Sequence, residues 1–457
     1  PANFVVMADA NFENHPIAVL KKIQESPIHR FAHSENDSIP DTIENRASNS
    51  HRNEIICRAK IHKKRHISKY LGRFATNCFA AERRLLHCSQ ISQERILKNH
   101  HIQEIFFYFG NLLKSIHFGH SHTRSFPIMK KLAKKVLLIG WDAADWKFLN
   151  PLIDQGMMPN LEKLINGGVM GRLATLDPPL SPTLWTAIAT GKRPYKHGIH
   201  GFTEPDPSGE GIRPINITGR KVKAIWNILT QHGMKTNVVG WWPSHPAEPV
   251  NGIYVSDFYH RAKGRINEPW PMLKGTVHPE EMSDLFAKLR IHPEELTGSH
   301  LLPFVPNAEK VDQTRDRRLY SVAKVLAECS TIHSAATYAM EQTEWDFMGV
   351  YYDAIDHFSH GFMKYHPPRR EHIPMADYEL YKDVVNAGCR YHDMMLGRLM
   401  QLAGEDTTII LISDHGFHPD HNRPKAIPKE PAGPAVEHSP YGIIVMNGPG
   451  IKKDDTV

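Results

Sequence analysis

The sequence has few cysteines and no hydrophobic run that is long enough to suggest a membrane span. Five cysteines in 457 residues are too few for a disulfide framework, which excludes the small disulfide-rich scaffolds of secreted proteins. The aromatic run at residues 105–109 is too short to cross a bilayer. Internal repeats and low-complexity runs are also absent. We therefore predict a cytoplasmic protein whose thiols are reduced.

Tryptophan is missing from the first 128 residues, whereas the remainder of the chain holds all eight. Residues 1–128 contain 18 Lys and Arg, 11 Asp and Glu, and 12 His, so this segment carries the positive charge of the chain. The composition predicts a basic, His-rich extension that is disordered, or upstream sequence translated before a true start at Met129. A basic segment can also contact RNA or an anionic membrane, which leaves a non-catalytic binding protein as a remote alternative.

The remaining residues, 129–457, alternate apolar strand runs with longer helical periods. This rhythm predicts an α/β domain with a mostly parallel central sheet and helices on both faces. The predicted strands are residues 136–140, 237–241, 347–352, 407–412 and 442–446. The predicted helices are residues 159–166, 182–189, 222–231, 316–340 and 376–402.

Two features depart from this rhythm. Residues 243–315 are rich in Pro and His, and we expect them to form an insertion that caps the active edge, or else a long surface excursion. The chain also stops abruptly at residues 454–457, which predicts that the C-terminal end of the domain is truncated.

Aspartate and histidine residues follow several of the predicted strands. Asp142 comes after the first strand, Asp414 and His415 follow the strand at 407–412, and His438 precedes the last strand. Because the carboxyl ends of parallel strands meet at one edge of a sheet, we expect these side chains to converge there. Their number and type predict a hydrolase with two divalent metal ions.

Two pairs with helical spacing compete for the remaining ligand positions. Asp356 and His360 are four residues apart, so on a helix both can face one ion, and Asp353 and His357 repeat the same spacing. Strand alternation does not choose between the two pairs.

Ser181 is the candidate nucleophile. It precedes Pro182, which is favoured at the first helical position, so Ser181 is predicted to be the N-cap of its helix. A hydroxyl there faces free backbone N–H groups and the positive end of the helix dipole, where a phosphate binds well. Thr183 is the rival nucleophile, and the simplest alternative is that Ser181 only caps the helix.

The order of these residues resembles the alkaline phosphatase superfamily, most closely its type I phosphodiesterase/nucleotide pyrophosphatase branch. The resemblance covers residues 134–453 and is strongest over 178–194, followed by His197-Gly198-Ile199. In that family the nucleophile lies nine residues before the Thr of a Thr-Gly pair. Counting back from Thr190 selects Ser181, and the Asp-x-x-x-His motif of the family falls on Asp356 and His360.

The resemblance implies a complete two-metal site. One ion would be held by Asp356, His360 and His438. The other would be held by Asp142, Asp414, His415 and the oxygen of Ser181. Zinc suits this ligand set, and Mn²⁺ is also acceptable. The implied reaction is the hydrolysis of small-molecule phosphate esters, namely phosphodiesters or nucleotide pyrophosphates, through a covalent phospho-Ser181 intermediate.

One position departs from the family pattern. Nucleotide pyrophosphatases place a phosphate-binding Asn soon after His-Gly-Ile, whereas this chain has Phe202. The phosphate contact is therefore expected from Lys192, Thr203 or backbone N–H groups. A phosphomonoesterase or phosphomutase of the same superfamily is the main alternative. A sulfatase is disfavoured because the residues after Ser181 lack the Cys/Ser-x-Pro-x-Arg motif.

Overall fold

The structure is a computed structural model that describes residues 132–262, 264–430, 432–453 and 455–456. The predicted extension at residues 1–128 lies outside the described residues. None of the helices in the described part of the chain is both long and apolar enough to cross a membrane.

A nine-stranded mixed sheet organises the described residues, in the order β13-β2-β12-β9-β1-β8-β5-β6-β7. The strands are β1 (Lys135–Trp141), β2 (Gly168–Ala174), β5 (Thr236–Val239), β6 (Tyr254–Val255), β7 (Val277–His278), β8 (Phe347–Tyr352), β9 (Thr407–Ile412), β12 (Tyr441–Asn447) and β13 (Asp455–Thr456). The central strands β9, β1, β8, β5 and β6 run parallel, whereas β12 is antiparallel to both of its neighbours. Two short ribbons lie outside this sheet: β3 (Thr203–Pro205) with β4 (Ile212–Pro214), and β10 (Gly416–Phe417) with β11 (His438–Ser439).

Helices separate most of the strands. They are α1 (Trp146–Asp154), α2 (Pro159–Asn166), α3 (Ser181–Thr190), α4 (Pro194–His197), α5 (Ile225–Gln231), α6 (Ser283–Lys288), α7 (Gly298–Leu301), α8 (Arg318–Gln342), α9 (Ala354–Phe362), α10 (Met375–Tyr381) and α11 (Val384–Ala403). Every residue of β5 and β8 is buried, and since successive side chains point to opposite faces, both faces of the sheet centre are covered. The predicted α/β class with a mostly parallel sheet is confirmed.

Strand β2 was not expected from the sequence. It contains two glycines, which weaken the strand pattern, yet Gly168 is required by its neighbour in the sheet. A Cβ atom at Gly168 would lie 1.9 Å from the carbonyl oxygen of Met446 on β12. The close pairing of β2 with β12 therefore explains why residue 168 is a glycine, although this glycine weakens the strand pattern in the sequence.

Other boundaries differ in detail. The predicted helix at 376–402 is divided into α10 and α11 by a break at residues 382–383. The region 243–315 supplies β6 and β7, so part of the predicted insertion extends the sheet. Its predicted role as a cap stays a prediction.

Candidate active site

Strands β1, β8 and β9 end at the same level of the sheet. The register pairs Trp141 with Tyr352, and Gly140 with both Tyr351 and Ile412. The residues that follow each strand therefore emerge beside one another at its carboxyl edge. This edge carries Asp142, Asp353 and the start of α9, and Asp414 with His415.

The first group of candidate ligands consists of Asp142, Asp414 and His415. Their ligand atoms all lie within 4.8 Å of one another, and each of the three residues is at most 2% exposed. His415 Nε2 is 3.2 Å from Asp142 Oδ1 and 3.6 Å from Asp414 Oδ2. The structure thus brings Asp142 together with the adjacent residues Asp414 and His415, which lie far from it in the sequence.

Ser181 lies against this first group. Its Oγ atom is 3.2 Å from His415 Nε2 and 3.5 Å from Asp142 Oδ1. Ser181 is the first residue of α3, and Leu180 is the N-cap, so the predicted N-cap role of Ser181 is wrong by one position. The rival Thr183 has a buried hydroxyl without a hydrogen-bond partner among the described residues.

The second group consists of Asp356, His360 and His438, whose ligand atoms also lie within 4.8 Å of one another. His360 Nε2 is 3.3 Å from Asp356 Oδ1 and 3.0 Å from His438 Nε2. The competing pair is separate from this group: Asp353 Oδ2 lies 3.9 Å from His357 Nδ1. The geometry therefore favours Asp356 and His360 over the alternative pair.

The two groups are in contact through their histidines. The rings of His415 and His438 stack with centroids 3.7 Å apart and planes 12° apart. His438 is on β11 and His415 directly precedes β10, and these two strands pair as one antiparallel ribbon. One ribbon thus carries a candidate ligand from each group.

Each of the three histidines uses Nδ1 to hold an oxygen acceptor. His415 Nδ1 donates to the Gly416 carbonyl at 3.0 Å, and His438 Nδ1 donates to the Pro179 carbonyl at 2.9 Å. His360 Nδ1 donates to the Glu437 carboxylate at 2.6 Å. These partners assign the proton to Nδ1 and turn the Nε2 lone pair of each ring towards the site.

This arrangement of donors fits two cations. Two Nε2 lone pairs face each other at 3.0 Å between His360 and His438, a contact that needs a shared proton or cation. Both carboxylate oxygens of Asp414 and Oδ1 of Asp356 are buried without a hydrogen bond from any described residue. Buried carboxylates without donors are costly, and three carboxylates with three imidazoles form a zinc-type ligand set.

Burial and the neighbouring charges shift the pKa values of the candidate ligands away from their ordinary values. Burial lowers the pKa of His415, but the nearby carboxylates of Asp414 and Asp142 outweigh burial and raise it to about 10. Burial, together with the neighbouring His415, lowers the pKa of His438 to about 4. Burial raises the pKa of Asp414 well above its usual value, and Asp142 adds to this effect. Binding of divalent ions would displace the protons held by these groups.

Residues outside the predicted ligand set orient it. Asp142 Oδ2 accepts hydrogen bonds from Trp185 Nε1 at 3.0 Å and from the Tyr351 hydroxyl at 2.6 Å, which leaves Oδ1 free to face Ser181. Glu437 orients His360. Sequence reasoning assigned no role to these partners, and the only local signal was the position of Glu437 beside His438.

Lys192 and Thr203 lie outside the two groups of candidate ligands. Lys192 is the second residue after α3, at the opposite end of this helix from Ser181. Lys192 and Thr203 are both exposed, and Thr203 begins the β3–β4 ribbon. Phe202, which replaces the expected Asn, packs against Trp242 with ring centroids 5.7 Å apart. The phosphate contact predicted for Lys192 and Thr203 stays a prediction.

The region 243–315 reaches the same edge of the sheet. His260 is 5% exposed, and its Nε2 atom lies 3.8 Å from Asp353 Oδ2. The distance is too long for a direct hydrogen bond, but it places this region within one helical turn of Asp356.

The family model for type I phosphodiesterases/nucleotide pyrophosphatases matches residues 136–430. The chain belongs to this family. The matched range includes Ser181 and the candidate ligands that precede residue 430, and it ends before His438. Membership confirms the predicted type I phosphodiesterase/nucleotide pyrophosphatase branch.

Solved structures similar to this family member share little sequence with it. A phosphonoacetate hydrolase from Sinorhizobium meliloti 1021 has 16% identity over 63% of this chain and 57% of its own, with a TM-score of 0.39. Murine ectonucleotide pyrophosphatase/phosphodiesterase 5 in complex with AMP has 12% identity over 71% of this chain and 90% of its own, with a TM-score of 0.37. A putative sulfatase from Bacteroides thetaiotaomicron has 13% identity over 70% of this chain and 66% of its own, with a TM-score of 0.41. The chain spans little more than half of the phosphonoacetate hydrolase. A search of curated protein sequences finds no match.

Proposed function

We propose that this chain hydrolyses phosphodiesters or nucleotide pyrophosphates, with Ser181 as the nucleophile. The observation that carries the proposal is the position of Ser181 Oγ, 3.2 Å from His415 Nε2 and 3.5 Å from Asp142 Oδ1, in a member of the type I phosphodiesterase family. An unreactive cap would not require a buried cluster of metal-ligand type around its hydroxyl.

The ligands fall into the two groups described above. Asp356, His360 and His438 would hold one divalent ion. Asp142, Asp414, His415 and Ser181 Oγ would hold the other. Zinc fits this set best, with Mn²⁺ as the alternative. Two such ions would supply the positive charge that lowers the pKa of the Ser181 hydroxyl and neutralises the phosphate ester.

The side chains of the protein would perform the remaining steps. Ser181, at the start of α3, attacks phosphorus while the bond to the leaving oxygen breaks, and the leaving alcohol or phosphate departs. Water then cleaves the Oγ–phosphorus bond and restores the serine. Hydrogen bonds from Trp185 and Tyr351 keep Asp142 in place during both steps.

The test is a comparison of a diester with a monoester. Hydrolysis of bis(p-nitrophenyl) phosphate and of p-nitrophenyl phosphate is measured with added zinc or manganese, using the full chain and the variant Ser181→Ala. We expect preference for the diester, and loss of nearly all turnover in the variant with both metals retained. Preference for the monoester would favour a phosphatase or mutase of the same superfamily, and wild-type rates in the variant would move the nucleophile elsewhere.

Two further proposals concern the setting of the enzyme. A reducing compartment such as the cytoplasm is supported by the buried thiols of Cys329 and Cys389, both of which are unpaired. The basic segment 1–128 is proposed to have no part in catalysis, because the candidate ligands among the described residues already form two complete groups within residues 142–438. Deletion of 1–128 should leave turnover unchanged, and loss of turnover would revive a role for this segment in binding a polyanion.

A further inference from the structure

A buried carboxylate outside both ligand groups connects the loops that carry them. Asp145 lies three residues after Asp142 and is 5% exposed. Its Oδ1 atom accepts a hydrogen bond from the backbone N–H of Lys147 at 2.9 Å, which caps the N-terminus of α1. One carboxylate oxygen thus has an ordinary structural role.

The other carboxylate oxygen reaches the ribbon formed by β10 and β11. Asp145 Oδ2 accepts a hydrogen bond from the Ser439 hydroxyl at 2.6 Å and one from the Phe417 backbone N–H at 3.3 Å. Ser439 directly follows His438, and Phe417 is the second residue after His415. Both candidate histidine ligands of the ribbon are therefore attached to the loop of Asp142 by one carboxylate.

The contact depends on a glycine. A Cβ atom at Gly416 would lie 2.2 Å from Asp145 Oδ2 and 2.4 Å from the Ser439 hydroxyl oxygen. No real Cβ atom tolerates such distances, so the ribbon comes this close to Asp145 only because residue 416 has no side chain. The glycine next to His415 thus leaves the space that the Asp145 carboxylate occupies.

The Asp145 carboxylate forms no ion pair with a Lys, Arg or His side chain within the described ranges. The side chains of Lys147 and His418 pair with Asp420 instead, although His418 is close enough for its charge to interact with Asp145. A buried anion that is held only by hydrogen bonds is costly, and its cost falls when positive charge is close by. Asp145 is attached to residues next to His438 and His415, so cations bound by these histidines would bring positive charge close to its carboxylate.

We infer that Asp145 is a positioning residue for metal binding, which fixes the ribbon of His415 and His438 relative to Asp142. The inference rests on the proposed two-metal function, because it concerns how the same ligands are held. Outer partners of this kind typically change metal affinity by roughly ten- to a hundred-fold when they are removed.

The test separates the cap of α1 from the contact with the ribbon. Asp145→Ser keeps a good N-cap, but its hydroxyl is too short to reach Ser439. Ser439→Ala removes the strongest ribbon contact and leaves Asp145 unchanged. Asp393→Ser is the matched control, since Asp393 is also a buried carboxylate (3% exposed) that holds backbone and side-chain N–H groups of another helix, with a bond of 2.7 Å from the Leu161 N–H.

Each variant is examined in the full chain by zinc titration, cobalt spectroscopy, steady-state kinetics and thermal unfolding. Zinc affinity and stoichiometry come from competition with a chromogenic chelator, and the visible spectrum of the cobalt-substituted protein reports ligand geometry. We expect Asp145→Ser and Ser439→Ala to weaken zinc binding roughly ten- to a hundred-fold, alter the cobalt spectrum and lower kcat more than they raise KM. The control should lower only the melting temperature.

Unchanged zinc affinity and cobalt spectrum in both variants, with a lower melting temperature, would overturn the inference and leave Asp145 as a helix cap. If Asp145→Ser does not fold, Ser439→Ala decides alone. A wild-type chain that binds two zinc ions while its variants bind them equally well contradicts only the positioning role. A wild-type chain that binds none contradicts the proposed function and the inference with it.

Discussion

At the scale of single residues, the candidate site depends on partners that fix the direction of each imidazole. Glu437 is the clearest case, because its carboxylate accepts from His360 Nδ1 at 2.6 Å and leaves Nε2 to face Asp356 and His438. A charged acceptor behind a histidine also makes the ring a stronger metal ligand. The affinity of the second group should therefore respond to Glu437.

Substitution of Glu437 provides a graded test. Glu437→Gln retains a hydrogen-bond acceptor but loses the charge, whereas Glu437→Ala loses both. Zinc affinity should therefore fall in both variants. The fall should be larger in Glu437→Ala, where we expect roughly ten- to a hundred-fold. The measurement is a competition titration with a chelator. Glu405→Gln, at an exposed position, is the control and should bind zinc as the wild type does. Equal affinity in all three variants would exclude an orienting role.

The residues of the site were predictable in part. Asp142, Asp414 and His415 stand directly after strands, and this placement is visible in the sequence because buried strands give continuous apolar runs. The choice of Asp356 over Asp353 came from the family resemblance. The sequence pattern alone could not make it, because Asp353–His357 and Asp356–His360 have the same spacing along the chain. Trp185 and Tyr351 could not have been found, since their bonds to Asp142 exist only after three distant segments pack together.

At the scale of elements, the start of α8 is held by an acidic side chain with several donors. Asp316 accepts hydrogen bonds from the guanidinium and backbone N–H of Arg318 and from the Tyr381 hydroxyl at 2.8 Å. Burial alone would raise its pKa, but these bonds outweigh burial and lower the pKa to about 2. The carboxylate thus connects α8 to α10.

This lowered pKa predicts a pH-dependent stability. A carboxyl group with a lower pKa in the folded state stabilises the fold fully above its ordinary pKa of 3.8, and the gain is lost as the pH falls towards 2. Asp316→Asn should lower the free energy of unfolding at pH 6 by about 1 kcal/mol, after allowance for solvent at this partly exposed site. Urea unfolding at pH 6, 4 and 3 measures the difference, which should shrink towards pH 3. A constant difference would show that the effect is not electrostatic.

The region 243–315 also reaches the edge of the sheet that carries the candidate site. Its deletion would remove β6 and β7 from the sheet, so a point change is the sharper test of the predicted cap. His260→Ala should alter the ratio of kcat/KM values for two diesters with different leaving groups, while zinc stoichiometry stays at the wild-type value. An unchanged ratio in a folded variant would show that this part of the region does not contact substrate.

The elements themselves were mostly visible in the sequence. Strands β1, β8 and β9 are buried on both faces and therefore read as unbroken apolar runs. Strand β2 was hidden by its two glycines, of which Gly168 is required by the pairing with β12. The break between α10 and α11 leaves little trace in the sequence, because residues 382–383 are as compatible with a helix as with a turn.

At the scale of the whole molecule, metal binding should contribute to stability. The candidate ligands come from the loop after β1, α9, the loop after β9, and β11, so bound ions would connect segments almost 300 residues apart. A ligand that binds only the folded state at a hundred times its Kd adds about 2.7 kcal/mol per site. We expect chelation with EDTA to lower the melting temperature by several degrees, as measured by thermal unfolding with and without zinc. Asp414→Asn should respond less, and an identical melting temperature with and without zinc in the wild type would contradict the metal assignment.

If the two proposed ions bind, the ribbon of β10 and β11 would make their sites thermodynamically dependent on each other. It presents His438 to one group and His415 to the other, with the two rings stacked 3.7 Å apart, so neither ligand can shift alone. An ion that orders the ribbon at one site therefore reduces the conformational entropy that is lost when the second ion binds. This coupling is equal in both directions. The enzyme would accordingly pass between an empty and a fully loaded form with little of the singly loaded form between them, which makes its activity a steep function of the free metal concentration.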